Sequence, residues 1–193
     1  MTRFIFDTAT TINGWIADRD NSLSWLFEVP GGTEPDAELL PQNATVLVEG
    51  ATTYEWLLAE SDLLAHPENW REFHGTRPTF VFTHRELPVP SGADVRFVSG
   101  EVADALPAIR EAASGGDVWL AGGGELVGQF DDAGALDEIA LSVAPVALDG
   151  GAPLLTRRIE SDRLQLVSAR AHGQFARLVY RVTRAESGIA SND

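Results

Sequence analysis

Trp119-Leu120-Ala121-Gly122-Gly123-Gly124-Glu125-Leu126 is the stretch on which the reading of this chain turns. A short apolar run over residues 118–121 meets three glycines, and Leu126, Val127 and Phe130 then follow at helical spacing. That is a buried strand feeding a short amphipathic helix, with Gly134 where a helix stops. Glycines let a ligand approach the backbone, and a helix start offers free N–H donors and partial positive charge to an anion. The G-x-G-x-x-G fingerprint is incomplete, because Val127 stands where its third glycine belongs. Read alone, the block suits a diphosphate and a tight turn equally well. Glu125 competes with a phosphate unless its side chain turns away.

Outward from this block, strand-like runs recur. Residues 3–10 are apolar and β-branched and end in the Asn13-Gly14 turn signal. Residues 45–48, 79–83, 95–98 and 138–144 follow the same pattern, the last closed by Pro145. Residues 164–171 and 175–183 flank His172-Gly173-Gln174 as a hairpin. Helical spacing appears over residues 53–64 and 104–113, where Pro107 fits a first-turn position. Helices alternating with short buried strands predict an α/β fold. We expect one three-layer domain over residues 1–185, with about eight strands, mostly parallel, and an antiparallel C-terminal hairpin. Residues 186–193 are small and polar and read as a flexible tail. Residues 30–42 read as a loop suited to an active-site lid.

Composition excludes several function classes. The 193 residues carry 14 Lys+Arg against 29 Asp+Glu, a net charge of −15, which repels nucleic-acid backbones in a chain whose arginines are scattered. No cysteine is present, so disulfides, thiolate catalysis and thiolate metal sites are excluded. His66, His74, His84 and His172 show no metal-ligand spacing, and no metal is expected. No run approaches the ~20 apolar residues that cross a bilayer, and the first residues lack signal-peptide character. These features predict a cytoplasmic protein with no membrane partner.

Two further strand ends carry anion-compatible loops. In Glu49-Gly50-Ala51-Thr52-Thr53-Tyr54 a strand again meets glycine and helix, and Thr52 or Thr53 as a simple helix cap is the favoured reading. Thr83-His84-Arg85 follows a third strand, where Arg85 suits a phosphate. Ligands of parallel α/β sheets sit at the carboxyl ends of strands, so three such loops mean more together than apart.

The ordered blocks NGWIAD (13–18), EGATTYE (49–55), TH (83–84), AGGGEL (121–126) and LDEIALSVAPVALDGGAPLL (136–155) resemble the dihydrofolate-reductase-like superfamily. The branch they look most like is the reductase domain of bacterial riboflavin-biosynthesis deaminase-reductases, the RibD C-terminal domain, over residues 3–183. The resemblance implies NADPH lying across the strand ends. It assigns Gly122, Gly123, Gly124, Glu125 and Leu126 to the cofactor diphosphate, with Gly50 and Thr53 opposite. Thr83, His84 and Arg85 would hold the adenosine and its 2′-phosphate, and Ala9, Ile16 and Ala17 would line the nicotinamide. Ser142 and Glu34 would lie near a small-molecule substrate. The implied activity is reduction of a heterocyclic or ribosylamino-pyrimidine substrate, as in 5-amino-6-(5-phosphoribosylamino)uracil reductases. The alternatives are a pterin or dihydrofolate reductase and a non-catalytic nucleotide-binding descendant. A homodimer is also implied, with the 164–183 hairpin as the expected contact. Three positions depart from the branch: Asn13 replaces a common Asp, Ala51 or Thr52 a common Arg, and Asp149 a Gly.

Overall fold

The computed structural model describes residues 1–30 and 39–183. Ten strands lie in the order β1 (Phe4–Thr11), β2 (Trp15–Ala17), β3 (Ala44–Gly50), β4 (Thr79–Phe82), β5 (Val95–Val98), β6 (Asp117–Gly122), β7 (Leu136–Ala144), β8 (Ala152–Pro153), β9 (Leu164–His172) and β10 (Phe175–Val182). Among the described residues, five α-helices accompany them: α1 (Ser24–Phe27), α2 (Ala51–Glu60), α3 (Trp70–His74), α4 (Val102–Ala113) and α5 (Gly124–Asp132). Eight strands form one sheet in the order β5-β4-β3-β6-β1-β7-β10-β9. All pairings from β5 to β7 are parallel, and β10 runs antiparallel to both β7 and β9. The expected sheet and hairpin are therefore present. Strands β2 and β8 form a separate antiparallel ribbon. At three and two residues, they are too short for an alternation to show.

Side-chain alternation along the strands builds a core on each face. Phe4, Phe6, Val46, Val48, Val118 and Leu120 point to one side, where Leu106 and Ile109 of α4 and Val127 and Phe130 of α5 cover them. On the other side, Tyr54, Leu57 and Leu58 of α2 and Trp70 of α3 cover Val81. Burying each large apolar side chain contributes about 1.5–3 kcal/mol. The result is the expected helix–sheet–helix layering.

Two helix expectations need correction, and a third holds. Helix α4 starts at Val102, so Pro107 is its sixth residue and lies beyond the first turn. The proline removes one backbone hydrogen bond, which the buried stripe of Val102, Ala105, Leu106, Ile109 and Ala113 offsets. Helix α2 starts two residues earlier than its apolar spacing suggests. Its N-cap is Gly50, with no side-chain cap bond, and Thr52 and Thr53 fall inside its first turn. Helix α5 ends as expected at Gly134, which has φ +64°. The Gly134 and Ala135 amides donate to the carbonyls of Asp131 and Phe130, a Schellman closure.

Candidate active site

The chain order of the sheet creates a crevice. After β3 the chain enters α2 on one face, and after β6 it enters α5 on the other, while β3 and β6 are neighbours. Their carboxyl ends therefore form a topological switch point, where helices diverge and leave room for a ligand. Gly50 ends β3, and Gly122 ends β6. A Cβ on Gly50 would lie 3.8 Å from the Gly122 carbonyl oxygen and 3.9 Å from the Gly123 nitrogen. A Cβ on Gly122 would lie 3.6 Å from Thr53 Oγ1, and one on Gly123 would lie 3.9 Å from Ile16 Cδ1. Five expected cofactor residues, Ile16, Gly50, Thr53, Gly122 and Gly123, thus converge on one cradle.

Helices α2 and α5 both begin at glycine N-caps without a side-chain cap bond. Their first-turn amides lack a capping side chain, and each helix start favours an anion by about 0.3–1 kcal/mol. The surrounding charges agree with this. The first turn of α2 has no acidic residue. Glu49, directly before Gly50, is fully buried, and that burial pushes its carboxyl up, toward the neutral form, against a smaller pull from His74. Glu125 turns its side chain to Arg157, with bonds of 2.8 and 3.0 Å, and accepts from the Thr156 hydroxyl at 2.6 Å. The guanidinium and hydroxyl hold its carboxyl down at about 2. Glu125 and Leu126 therefore offer the corner only main-chain amides, the Leu126 side chain being buried in the core. Gly124 has a packing role: a Cβ there would strike the carbonyl oxygens of Pro153 and Leu154, so β8 can back directly onto α5.

The ribbon fixes the other wall. Ile16 and Ala17 lie on β2, and Ala17 pairs with Ala152. The turn before β2 is tied down by Asn13, whose side-chain amide donates to the Leu148 carbonyl (2.7 Å) and whose oxygen accepts from the Leu148 amide (3.2 Å). An aspartate cannot make that donation, which gives the departure at Asn13 a local reason. Arg19 adds a bond to the Asp149 carbonyl at 3.0 Å. Just past β4, the Arg85 amide donates to Thr83 Oγ1 at 3.0 Å, and His84 is exposed. The Arg85 guanidinium grips Glu55 of α2 with two bonds, 2.9 and 2.6 Å, in a half-exposed pair.

Ala9 and Ser142 are register partners across β1 and β7. Directly behind them lies a feature that sequence reasoning missed. Arg177 of β10 donates to both carboxylate oxygens of Asp7 (2.8 and 2.5 Å), to Ser142 Oγ (3.2 Å) and to the Leu39 carbonyl (2.7 Å). Both partners are buried. Burial pushes the Asp7 carboxyl up, and Arg177 works against it. The pair borders a cavity of about 210 Å³ that Ile5, Asn43, Arg170 and Val179 also line. The one sequence signal was a charge inside an otherwise uncharged strand, FIFDTAT, which implies a buried partner without naming it. Glu34 lies outside the described residues. Among them, no group of three or more His, Asp or Glu residues is placed to hold a metal ion, and no helix is long and apolar enough to cross a membrane.

The crevice is compatible with an anion: an opening that one methyl group would narrow, uncapped helix starts on both sides, and neighbouring carboxylates buried or turned away. Known proteins agree on the scaffold. The chain is 28% identical over 173 residues to the uncharacterized protein YwjB of Bacillus subtilis, covering 89% of this chain and 93% of that one. Its fold matches the crystal structure of a putative riboflavin biosynthesis protein from Shewanella with a TM-score of 0.74 at 23% identity, covering 95% of this chain and all of that one. It also matches dihydrofolate reductase from Enterococcus faecalis, solved with NADP(H), with a TM-score of 0.61 at 15% identity over 93% of this chain and 96% of that one. Residues 3–176 match the family model of the RibD C-terminal domain, and the chain belongs to that family.

Proposed function

We propose that this chain is a cytoplasmic, NADPH-dependent reductase of a heterocyclic substrate of the ribosylamino-pyrimidine type. The observation that carries this reading is the cradle at Gly50, Gly122 and Gly123 between two uncapped helix starts. When bound there, NADPH supplies the hydride. The first-turn amides of α5 and α2 hold the diphosphate, and Thr53 borders it. Ile16, Ala9 and Ala17 form the wall beside the nicotinamide. Arg85, released from Glu55, takes the 2′-phosphate, with Thr83 and His84 shaping its loop. Ser142 and Glu34 serve the substrate, Ser142 being oriented by Arg177.

Thermal melting tests the cofactor directly. A ligand at about 100 times its Kd stabilises by ~2.7 kcal/mol, a visible shift. The reading fails if neither NADPH nor NADH moves the transition. A screen of acceptors, followed by NADPH absorbance, then identifies the substrate. The engagement of Arg85 by Glu55 favours a second reading, a nucleotide-binding descendant without turnover. Stabilisation by NADPH with no oxidation across the screen would select it.

We also propose a homodimer through β9, a nine-residue edge strand with Leu166 and Val167 about half exposed. Light scattering checks it: a monomeric mass at micromolar concentration overturns it.

A further inference from the structure

Arg157 lies along α5 like a strap. Its guanidinium reaches Glu125 in the first turn (2.8 and 3.0 Å) and Asp132 at the helix end (2.7 Å). Gly128, between them, makes room: a Cβ there would sit 2.7 Å from Arg157 Cγ and 3.3 Å from Cζ. The strap residue follows only three positions after Leu154, whose carbonyl backs Gly124. One arginine thus ties both ends of α5 to the segment that supports its first residue. It also faces the one carboxylate in the first turn of α5, and that turn borders the cradle. Without Arg157 and Thr156, Glu125 would keep only Gln129 as a neutral partner and stand as an uncompensated anion in the first turn of α5. A like charge there opposes a phosphate by an amount that grows as solvent is excluded.

From this geometry we infer that Arg157 is a positioning residue for dinucleotide binding: it draws the Glu125 carboxylate along α5, away from the helix start, and cancels its charge, which keeps the first turn receptive to a diphosphate. The inference rests on the cofactor reading above. It adds a residue that reaches the site only through another side chain.

The test compares NADPH dissociation constants, by fluorescence titration on the full chain, for the wild type, Arg157→Ala and Arg157→Ala with Glu125→Gln. Arg157→Ala is expected to weaken binding about tenfold at low salt, the scale of one uncompensated like charge near a protein surface. Adding Glu125→Gln should return affinity to within about threefold of wild type, because the offending charge is gone while the strap is still missing. The tenfold gap should also shrink as salt screens it. A scaffold-only role predicts equal losses in the single and double variants at all salt concentrations, and that result overturns the inference. Unchanged affinity in Arg157→Ala overturns it too. If the wild type itself binds neither NADPH nor NADH, the cofactor reading falls and this inference falls with it. The two failures are distinguished by the wild-type titration.

Discussion

The crevice between β3 and β6 and the polar wall behind Ser142 belong to one sheet, yet they are built from opposite materials. The crevice is made of backbone, with glycines at strand ends and amides at helix starts, and its nearby carboxylates are buried or drawn aside. Its positive potential comes from peptide dipoles, which do not titrate and need no buried counter-charge. The wall is made of side chains 170 positions apart in sequence, Asp7 and Arg177, each of which must compensate the other's burial. A backbone site keeps its donors when a side chain is lost, although its potential still responds to charges nearby. A buried ion pair is intolerant of losing either member.

The largest break in this comparison should come from the wall. Arg177→Met leaves Asp7 buried without its cation and is expected to cost about 3–5 kcal/mol in urea unfolding. Asp7→Leu combined with Arg177→Met should recover most of that loss, since an apolar pair of similar volume needs no compensation. A single-variant loss below ~1 kcal/mol would mean the wall is open to water.

Glycines sharpen the contrast within the crevice. Gly124→Ala drives a methyl group into the carbonyl oxygens of Pro153 and Leu154, and it should cost about 1–3 kcal/mol of stability or more. Gly50→Ala meets nothing closer than 3.8 Å and has an ordinary extended backbone, φ −85°, so stability should hold within about 1 kcal/mol. Its methyl group projects into the cradle, so NADPH affinity should fall about tenfold, or ~1.4 kcal/mol. Equal effects of the two substitutions on melting and on binding would erase the distinction between packing glycine and cradle glycine.

Arg85→Ala should leave folding intact, because its pair with Glu55 is half exposed and worth ~0–1 kcal/mol. The expected change is a loss of preference for NADPH over NADH, read from the ratio of the two dissociation constants. An unchanged ratio removes Arg85 from the 2′-phosphate site.

The smallest effect concerns pH. The carboxyl of Glu125 is depressed from 4.5 to about 2 by Arg157 and Thr156. A depressed carboxylate stabilises the fold fully above its unfolded value and loses that contribution as pH falls through the folded one. The melting advantage of the wild type over Glu125→Gln should therefore be constant from pH 7 to about 5 and vanish between ~4.5 and ~2. A difference that persists at pH 2 would show that Glu125 acts through shape instead of charge.

Much of this architecture was legible in advance, for identifiable reasons. All eight strands of the main sheet are marked in the sequence, six as apolar runs near glycine, proline or a turn pair and two as the arms of the hairpin around Gly173. Gly50 and the Gly122–Gly124 run mark the crevice because only glycine leaves so much backbone exposed. Glu125 was flagged as a competitor, but the arginine that restrains it lies 32 positions further on and carries no local signal. The start of α2 was misread at Thr52 and Thr53 because a threonine before an apolar spacing resembles a cap.

By itself, the amino-acid order determined which segments are the strands of the main sheet, where three longer helices lie, and which glycines stand at strand ends. Those properties follow from local sterics and hydrophobic periodicity. Only the tertiary structure decided that β6 inserts between β3 and β1, so that two glycine-capped helices open one crevice. It alone decided that Arg177 answers Asp7 and that Arg157 restrains Glu125. Pairings between distant charges depend on how the sheet brings remote segments together, and no window along the chain contains both partners.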